Sequence, residues 1–480
     1  MRSPRLRAVL ALAGIAVVVS GCAHRVDGEP VSVFSDPFQV AGMPAEDGPS
    51  GLRPDATPPT RTVVNTDGGE SDHLGAQAVS DIEQYWEYAF PETFAGEFTP
   101  VDQAVSWDAD DYDAQFCGFS TYGLVNAGFC RPEKTIGWDR GVLLPALRRS
   151  HGDMAITMVL AHEYGHSVQL QGGLAQPKTP TLVAEQQADC LAGAYIRWVA
   201  EGNSARFTVS TGDGLNDLLA TLLSIRDPVM TELDVMVQGP GNEHGSAFER
   251  ISAFEFGFTD GPSACVVIDA EEIEQRRGDL PQELRMDQTG ELEITEQSVR
   301  TMFDALNALY TPEQPPTLSF APAGQTCADA RPSPPVSYCP AADTITVDLP
   351  ALVALGTPTD DDDAATMVGD NSAYSVLFSR YALAIQHRRE LDLDSAEAAL
   401  RTGCMTGVSI AKLAEGVDVD DSRVKLAAGD LDEAVSGLLT NGLVASDVNG
   451  DTVPAGFSRV SAFRTGVLGG DLDQCVNRYR

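Results

Sequence analysis

Residues 154–166 read Met154-Ala155-Ile156-Thr157-Met158-Val159-Leu160-Ala161-His162-Glu163-Tyr164-Gly165-His166. The apolar run up to Ala161 contains neither Pro nor Gly, so the pattern predicts one helix through His166 and a few residues beyond. Four residues apart on a helix, His162 and His166 share a face, one turn above the other. Two neutral imidazoles so placed reach one zinc ion, and Glu163, one residue on, stands beside the remaining coordination position.

A second helix is expected from about Thr181 to Val199, carrying Glu185-Gln186-Gln187-Ala188-Asp189-Cys190. A catalytic zinc takes three protein ligands and keeps one position for water. Glu185 is the candidate third ligand, and Asp189, one turn later, can hydrogen-bond the free ring nitrogen of a ligating histidine. The order follows that of the gluzincins: two histidines, a glutamate on a following helix, then an aspartate four residues on. Glu163 would take a proton from the zinc-bound water and pass it to the leaving amine. The plainer reading is a chance His-Glu-x-x-His on an amphipathic helix. Glu185 and Asp189 at matched spacing weigh against it.

The wider stretch resembles the neutral zinc metallopeptidase family of bacteria, in which a His-Glu-Tyr-Gly-His helix is followed by Gln-Ala-Asp-Cys-x-Ala-Gly. Here those residues are His162 to His166 and Gln187 to Gly193, and the resemblance runs from about Cys117 to Cys265. It implies a helix-rich α+β zincin-like module with one Zn2+ per chain and a peptide or protein substrate. It also implies a His-Gly segment after the second helix, matched by His244-Gly245, where gluzincins place a histidine that stabilises the oxyanion. His244 is assigned that role, and a helix-capping or exposed histidine is the other reading. Tyr164 is either a further donor or a packed side chain. Thr135-Ile136-Gly137-Trp138-Asp139 reads as a strand, either the substrate-holding edge found in zincins or simply a packed one.

With 480 residues, 43% of them hydrophobic, the chain can fill two or three domain cores. Its formal charge of −38 repels phosphate backbones and anionic headgroups, which excludes nucleic acid as an expected partner. Arg2, Arg5 and Arg7, the apolar run Ala8 to Val19, and Ser20-Gly21-Cys22 read as an export signal over residues 1–22. Val19-Ser20-Gly21-Cys22 resembles a bacterial lipobox, which implies acylation of Cys22 and anchoring to the outer face of the cell membrane. An ordinary secretory signal or an uncleaved anchor is the alternative. Residues 23–75, rich in Pro, Gly, Asp, Ser and Thr, read as a disordered tether. A helix should then open near Val79 and end or turn at Pro91.

The rest of the chain divides into a metallopeptidase module over 76–290 and a repeat of it over 291–480. Cys130, Thr135, Ile136 and Asp139 line up without a gap on Cys339, Thr344, Ile345 and Asp348. Leu160, Tyr164 and Gln169 meet Leu377, Tyr381 and Gln386; Cys190 and Gly193 meet Cys404 and Gly407; Arg250, Ser252, Ala253 and Phe254 meet Arg459, Ser461, Ala462 and Phe463. Matches in one order, two of them bringing cysteine to cysteine, point to a tandem duplication. The ligand positions of the second copy hold Ser379 and Leu383, the base position Arg380, and the positions of Glu185, Asp189 and His244 hold Ala399, Gly403 and Val453. None of these can hold zinc, so the copy is expected to be metal-free. A bridge scheme that makes sense in both copies pairs Cys117 with Cys130, Cys327 with Cys339, Cys190 with Cys265, and Cys404 with Cys475. The acidic run Asp360 to Asp363 reads as a solvated loop.

The expected function is a zinc-dependent endopeptidase of the cell envelope. The alternative is a non-catalytic envelope lipoprotein that binds or scaffolds a partner on the same fold.

Overall fold

The structure, a computed structural model, describes residues 36–112, 114–231, 244–284, 290–322, 326–358, 367–420 and 422–480. The expected signal with Cys22, the first part of the tether and the Asp360 to Asp363 run lie outside these residues. The chain is α+β, with helices predominating.

Helix α1 (Glu70–Thr93) comes first, followed by α2 (Leu143–His151), α3 (Asp153–Gly172), α4 (Thr181–Ala200), α5 (Asp213–Ser224) and α6 (Ala247–Asp260). Between α1 and α2 run three of four strands of a sheet, ordered β1 (Val63–Val64), β2 (Gln103–Trp107), β4 (Thr135–Asp139) and β3 (Ala127–Cys130). Strands β1, β2 and β4 are parallel, and β3 is antiparallel to β4. Strand β4 is therefore central and wholly buried. It offers no edge to a substrate, and the free edge beside α3 belongs to β3.

Helix α3 is buried on nearly every side, as its apolar run requires. It packs against α1 and α4 and ends at Gly173, whose φ of 75° costs a glycine little. Helices α4 and α6 cross with backbones almost touching: a Cβ on Gly193 would meet the carbonyl oxygen of Phe254, and one on Gly257 that of Cys190.

Two expectations about the N-terminal region need correction. Residues 36–69 are not a free tether, because Val40 is buried, Gly51–Leu52 pairs with Phe207–Thr208, and β1 extends the main sheet. Their few apolar side chains fold down onto a surface built by the rest of the chain, so no local periodicity is needed. Helix α1 begins at Glu70, well before Val79, and continues past Pro91 to Thr93. Pro91 sits in the last turn, where its missing N–H and its ring disturb little of the helix.

The same order of elements recurs downstream of the connector helix α7 (Ala270–Arg277). Helix α8 (Glu296–Tyr310) precedes β5 (Thr317–Phe320), β6 (Val336–Cys339) and β7 (Thr344–Val347), then α9 (Leu349–Leu355), α10 (Asp370–Arg388), α11 (Ala396–Glu415), α12 (Asp430–Thr440), α13 (Gly456–Gly469) and α14 (Leu472–Arg478). Strand β5 is parallel to β7 and β6 is antiparallel to it, the senses of β2, β4 and β3. Gly407 and Gly466 allow α11 and α13 the close crossing that Gly193 and Gly257 allow α4 and α6.

Four cysteine pairs stand at disulfide distance, Cys117–Cys130, Cys190–Cys265, Cys327–Cys339 and Cys404–Cys475. They are the four pairs expected from the sequence.

The two halves share one core. The Phe258 and Phe457 rings lie 5.1 Å apart, and Gly456 N donates to Asn216 Oδ1 at 2.7 Å. Asp432 accepts from the first two N–H groups of α6, Ala247 and Phe248, both at 3.0 Å. A carboxylate there satisfies donors that have no partner within the helix and sits at the positive end of its dipole. Among the described residues no helix is long and apolar enough to cross a membrane.

Candidate metal centre

Helices α3 and α4 bring His162, His166 and Glu185 together, with one donor atom from each within 4.8 Å of the others. Glu185 lies between the rings, with Oε2 3.1 Å from His162 Nε2 and Oε1 3.5 Å from His166 Nε2. Donors about 2.05 Å from a tetrahedral zinc stand about 3.3 Å apart, so the cluster has the right span.

The opposite ring nitrogens are already occupied. His162 Nδ1 meets Asp189 Oδ1 at 2.7 Å, and His166 Nδ1 meets Gln169 Oε1 at 3.0 Å. A proton held on each Nδ1 leaves both Nε2 lone pairs facing Glu185, the tautomer that a metal needs. Gln169 is itself fixed by donating to Ala184 O at 2.5 Å and to Gln187 Oε1 at 3.2 Å.

The electrostatics favour a positive charge between the rings. Burial disfavours the His162 cation, yet Asp189 and Glu185 outweigh it and push the imidazolium up to about 10. His166 is likewise raised against burial by Glu185, and Glu185 is held far below the usual carboxylate range by the two rings. A dication in place of the two protons would satisfy the same carboxylate. The donor set of two imidazoles and a carboxylate therefore fits zinc.

Glu163 points into the same region and is half-buried. Burial raises its carboxyl above the ordinary range, offset in part by His162 and His166. His244 lies at the rim, with Nε2 4.0 Å from Glu185 Oε2 and Nδ1 3.0 Å from Asp227 Oδ1. Its hydrogen bond to Asp227 raises its basicity against partial burial. It does not cap α6, a role taken by Ser246. Tyr164 packs: its hydroxyl donates to Glu83 Oε1 at 2.9 Å and accepts from Val101 N at 3.1 Å.

Two residues of the site were not assigned from the sequence. Arg250, on α6, donates to Asp189 from Nε and Nη2, both at 2.9 Å, and to Ile225 O from Nη1 at 2.7 Å. Both partners are buried, and the guanidinium and the His162 ring together lower Asp189 against its burial. Nothing local marks Arg250, because Glu249 and Glu255 on the same helix make a charged residue there ordinary. Asp227 holds His244 through both its ring and its backbone N–H, but lies seventeen residues away with no motif to mark it.

In the second half, Leu383, Ala399 and Val453 are buried among apolar neighbours, and Arg380 turns to Val336 O at 2.8 Å and Ser446 Oγ at 2.9 Å.

No family model matches the chain, and no solved structure matches it. Uncharacterized proteins of Mycobacterium bovis and Mycobacterium tuberculosis are 29% identical to it over 167 residues, covering 31% of this chain and 57% of the relative. The chain thus spans little more than half the length of these curated relatives.

Proposed function

We propose that the protein is a zinc-dependent endopeptidase of the cell envelope, its zinc held by His162, His166 and Glu185. The observation that carries this reading is the convergence of these three residues beside Glu163, with the outer ring nitrogens already tied to Asp189 and Gln169. When bound, zinc would acidify a water molecule and polarise the scissile carbonyl. Glu163 takes the proton of the attacking water and returns it to the leaving amine, a role suited to a carboxyl whose basicity burial has raised. His244, steadied by Asp227, faces the oxygen on which negative charge develops. The free edge of β3 is the natural place for an extended peptide to add main-chain hydrogen bonds. Water is the nucleophile, so no acyl-enzyme forms.

The resemblance to bacterial neutral zinc metallopeptidases belongs to this proposal, as do a zincin-like first module and its tandem duplication. The recurring element order, glycine crossings and cysteine pairs support the duplication. Export with a lipid anchor on Cys22 also belongs here, and four disulfides fit an oxidising compartment. The second reading, a binding or scaffolding lipoprotein, draws on the second half, which keeps the elements while its centre is packed with apolar side chains.

The test has two parts. Elemental analysis of the chain should find one zinc, lost in Glu185→Ala. Cleavage of a mixed peptide substrate should fall by about 10²–10⁴-fold in Glu163→Gln with zinc retained. No zinc after loading, or no cleavage by a zinc-loaded chain, would favour the scaffold.

A further inference from the structure

A second cluster lies away from the candidate centre, where Glu291 in the segment between α7 and α8, Asp370 at the start of α10, and Asp430 and Glu433 on the first turn of α12 converge. One oxygen each from Glu291, Asp370 and Glu433 lies within 4.8 Å of the others, the largest separation possible for two oxygens touching one calcium at about 2.4 Å. Backbone donors serve part of the cluster: Leu292 N reaches Asp370 Oδ2 at 3.1 Å, Asn371 N reaches Glu433 Oε2 at 2.7 Å, and Ala427 N reaches Asp430 Oδ2 at 2.8 Å. The other oxygens of Asp370 and Asp430 are buried without a hydrogen-bond partner, and so is Asn371 Oδ1. Asp370 is 6% exposed, Asp430 5% and Glu433 2%. Asp430 faces the carboxyl groups of Asp370, Glu433 and Glu291.

The first half shows what is missing. Asp153 opens α3 as Asp370 opens α10, and Leu52 N donates to Asp153 Oδ2 as Leu292 N does to Asp370 Oδ2. Asp153 Oδ1, however, receives the Arg148 guanidinium at 2.8 Å, whereas Asp370 Oδ1 has no donor. In the first half the chain itself supplies the cation. In the second, no described residue donates to Asp370 Oδ1, and a cation from solution can take that place.

We propose that Glu291, Asp370, Asp430 and Glu433 form an all-oxygen site for a hard divalent cation, calcium being the best match. Oxygen donors from separate segments suit calcium's large and flexible coordination shell better than zinc's preference for imidazole and thiolate. The ion clamps the N-termini of α10 and α12 to the segment between α7 and α8. Asp432 lies on that same turn of α12 and accepts from Ala247 N and Phe248 N, so the clamp also steadies the start of α6, which carries Arg250.

The test uses the full chain stripped with EDTA, with calcium chloride as the probe and magnesium chloride beside it. Equilibrium dialysis should find one calcium per chain. Thermal unfolding should shift up by roughly 3 °C or more at a hundredfold excess over Kd. Glu433→Gln and Asp370→Asn should each weaken binding at least tenfold, and Glu291→Gln, at a more exposed position, should do so without endangering the fold. The decisive readout is a change of sign. Without calcium Glu433→Gln should raise Tm by relieving repulsion, and with saturating calcium it should lower Tm relative to the parent. No bound calcium or magnesium at millimolar concentration, or a Glu433→Gln effect of one sign in both conditions, would overturn the proposal in favour of carboxyls that share protons.

Discussion

The ion pair between Asp189 and Arg250 should couple the two helices behind the candidate centre, and its strength can be bounded. Both side chains are buried, and two hydrogen bonds of 2.9 Å join them. With charge centres about 4 Å apart and an effective dielectric near 20, their attraction is about 4 kcal/mol. Removing one member strands the other, a loss of about 3–5 kcal/mol for buried pairs. In metal-free protein at pH 7 the His162 imidazolium still faces Asp189, so Arg250→Met should fall at the lower end, about 3 kcal/mol. Asp189→Asn should cost a similar amount, by leaving the guanidinium without its countercharge. The double variant removes both charges of the pair and should be little worse than either single one. The cycle, read by urea unfolding with disulfides intact and EDTA present, should therefore give a coupling of about 2–3 kcal/mol. Metal affinity in Arg250→Met should fall about 10–100-fold, because Asp189 would no longer be held against His162. Additive effects, with a coupling below about 0.5 kcal/mol, would refute the reasoning.

Metal-free protein should also respond to pH through His162, whose folded-state value is raised to about 10 from 6.5. The stabilisation is fully present below the unfolded value and is lost as pH rises through the folded one, so the urea midpoint should decline between pH 7 and 10. His162→Gln should flatten that decline. At the helix crossings, Gly193→Ala and Gly407→Ala should each lower stability by about 1–3 kcal/mol, because a methyl group there meets the carbonyl oxygen of Phe254 or Phe463. A calorimetric Tm unchanged in both variants would mean that the backbones do not approach so closely.

The legible parts of the fold were those where a local pattern and a long-range one agree. Helix α3 followed from an apolar run, and α4 spans Thr181–Ala200 against an expected Thr181 to Val199. The cysteine pairs followed from a scheme required to make sense in both of the expected copies. His162, His166, Glu185 and Asp189 were named from motif spacing and His244 from the family resemblance, and the structure brings them together. What escaped notice has no local signature. The order in residues 36–69 comes from partners such as Phe207, far along the chain. Asp227 and Arg250 gain their meaning only from what faces them. The cluster of Glu291, Asp370, Asp430 and Glu433 collects residues from distant segments, each ordinary in its own stretch of an acidic chain.

The two halves also differ in how each fills the space between its paired helices. Around His162 the buried polar groups are compensated outward, from ring to Asp189 to Arg250 to the Ile225 carbonyl. At the corresponding positions of the second half, Gly403 leaves room for Ala445, and Leu383 and Ala399 are wholly buried. Arg459, aligned with Arg250, has no carboxylate opposite among the described residues and donates to the carbonyls of Leu438 at 2.6 Å and Val453 at 2.7 Å. A centre closed in this way by close packing has no room for an ion, so restoring histidines at 379 and 383 would not restore a site. What the second half gives the first is mechanical. Asp432 accepts from the first two N–H groups of α6, and Phe457 packs on Phe258 at its flank. The helix that carries Arg250 is thereby fixed at its start and on one side by residues from beyond the connector. The first half cut out at residue 290 would keep every candidate ligand and lose those supports, and its metal affinity should suffer before its helices do.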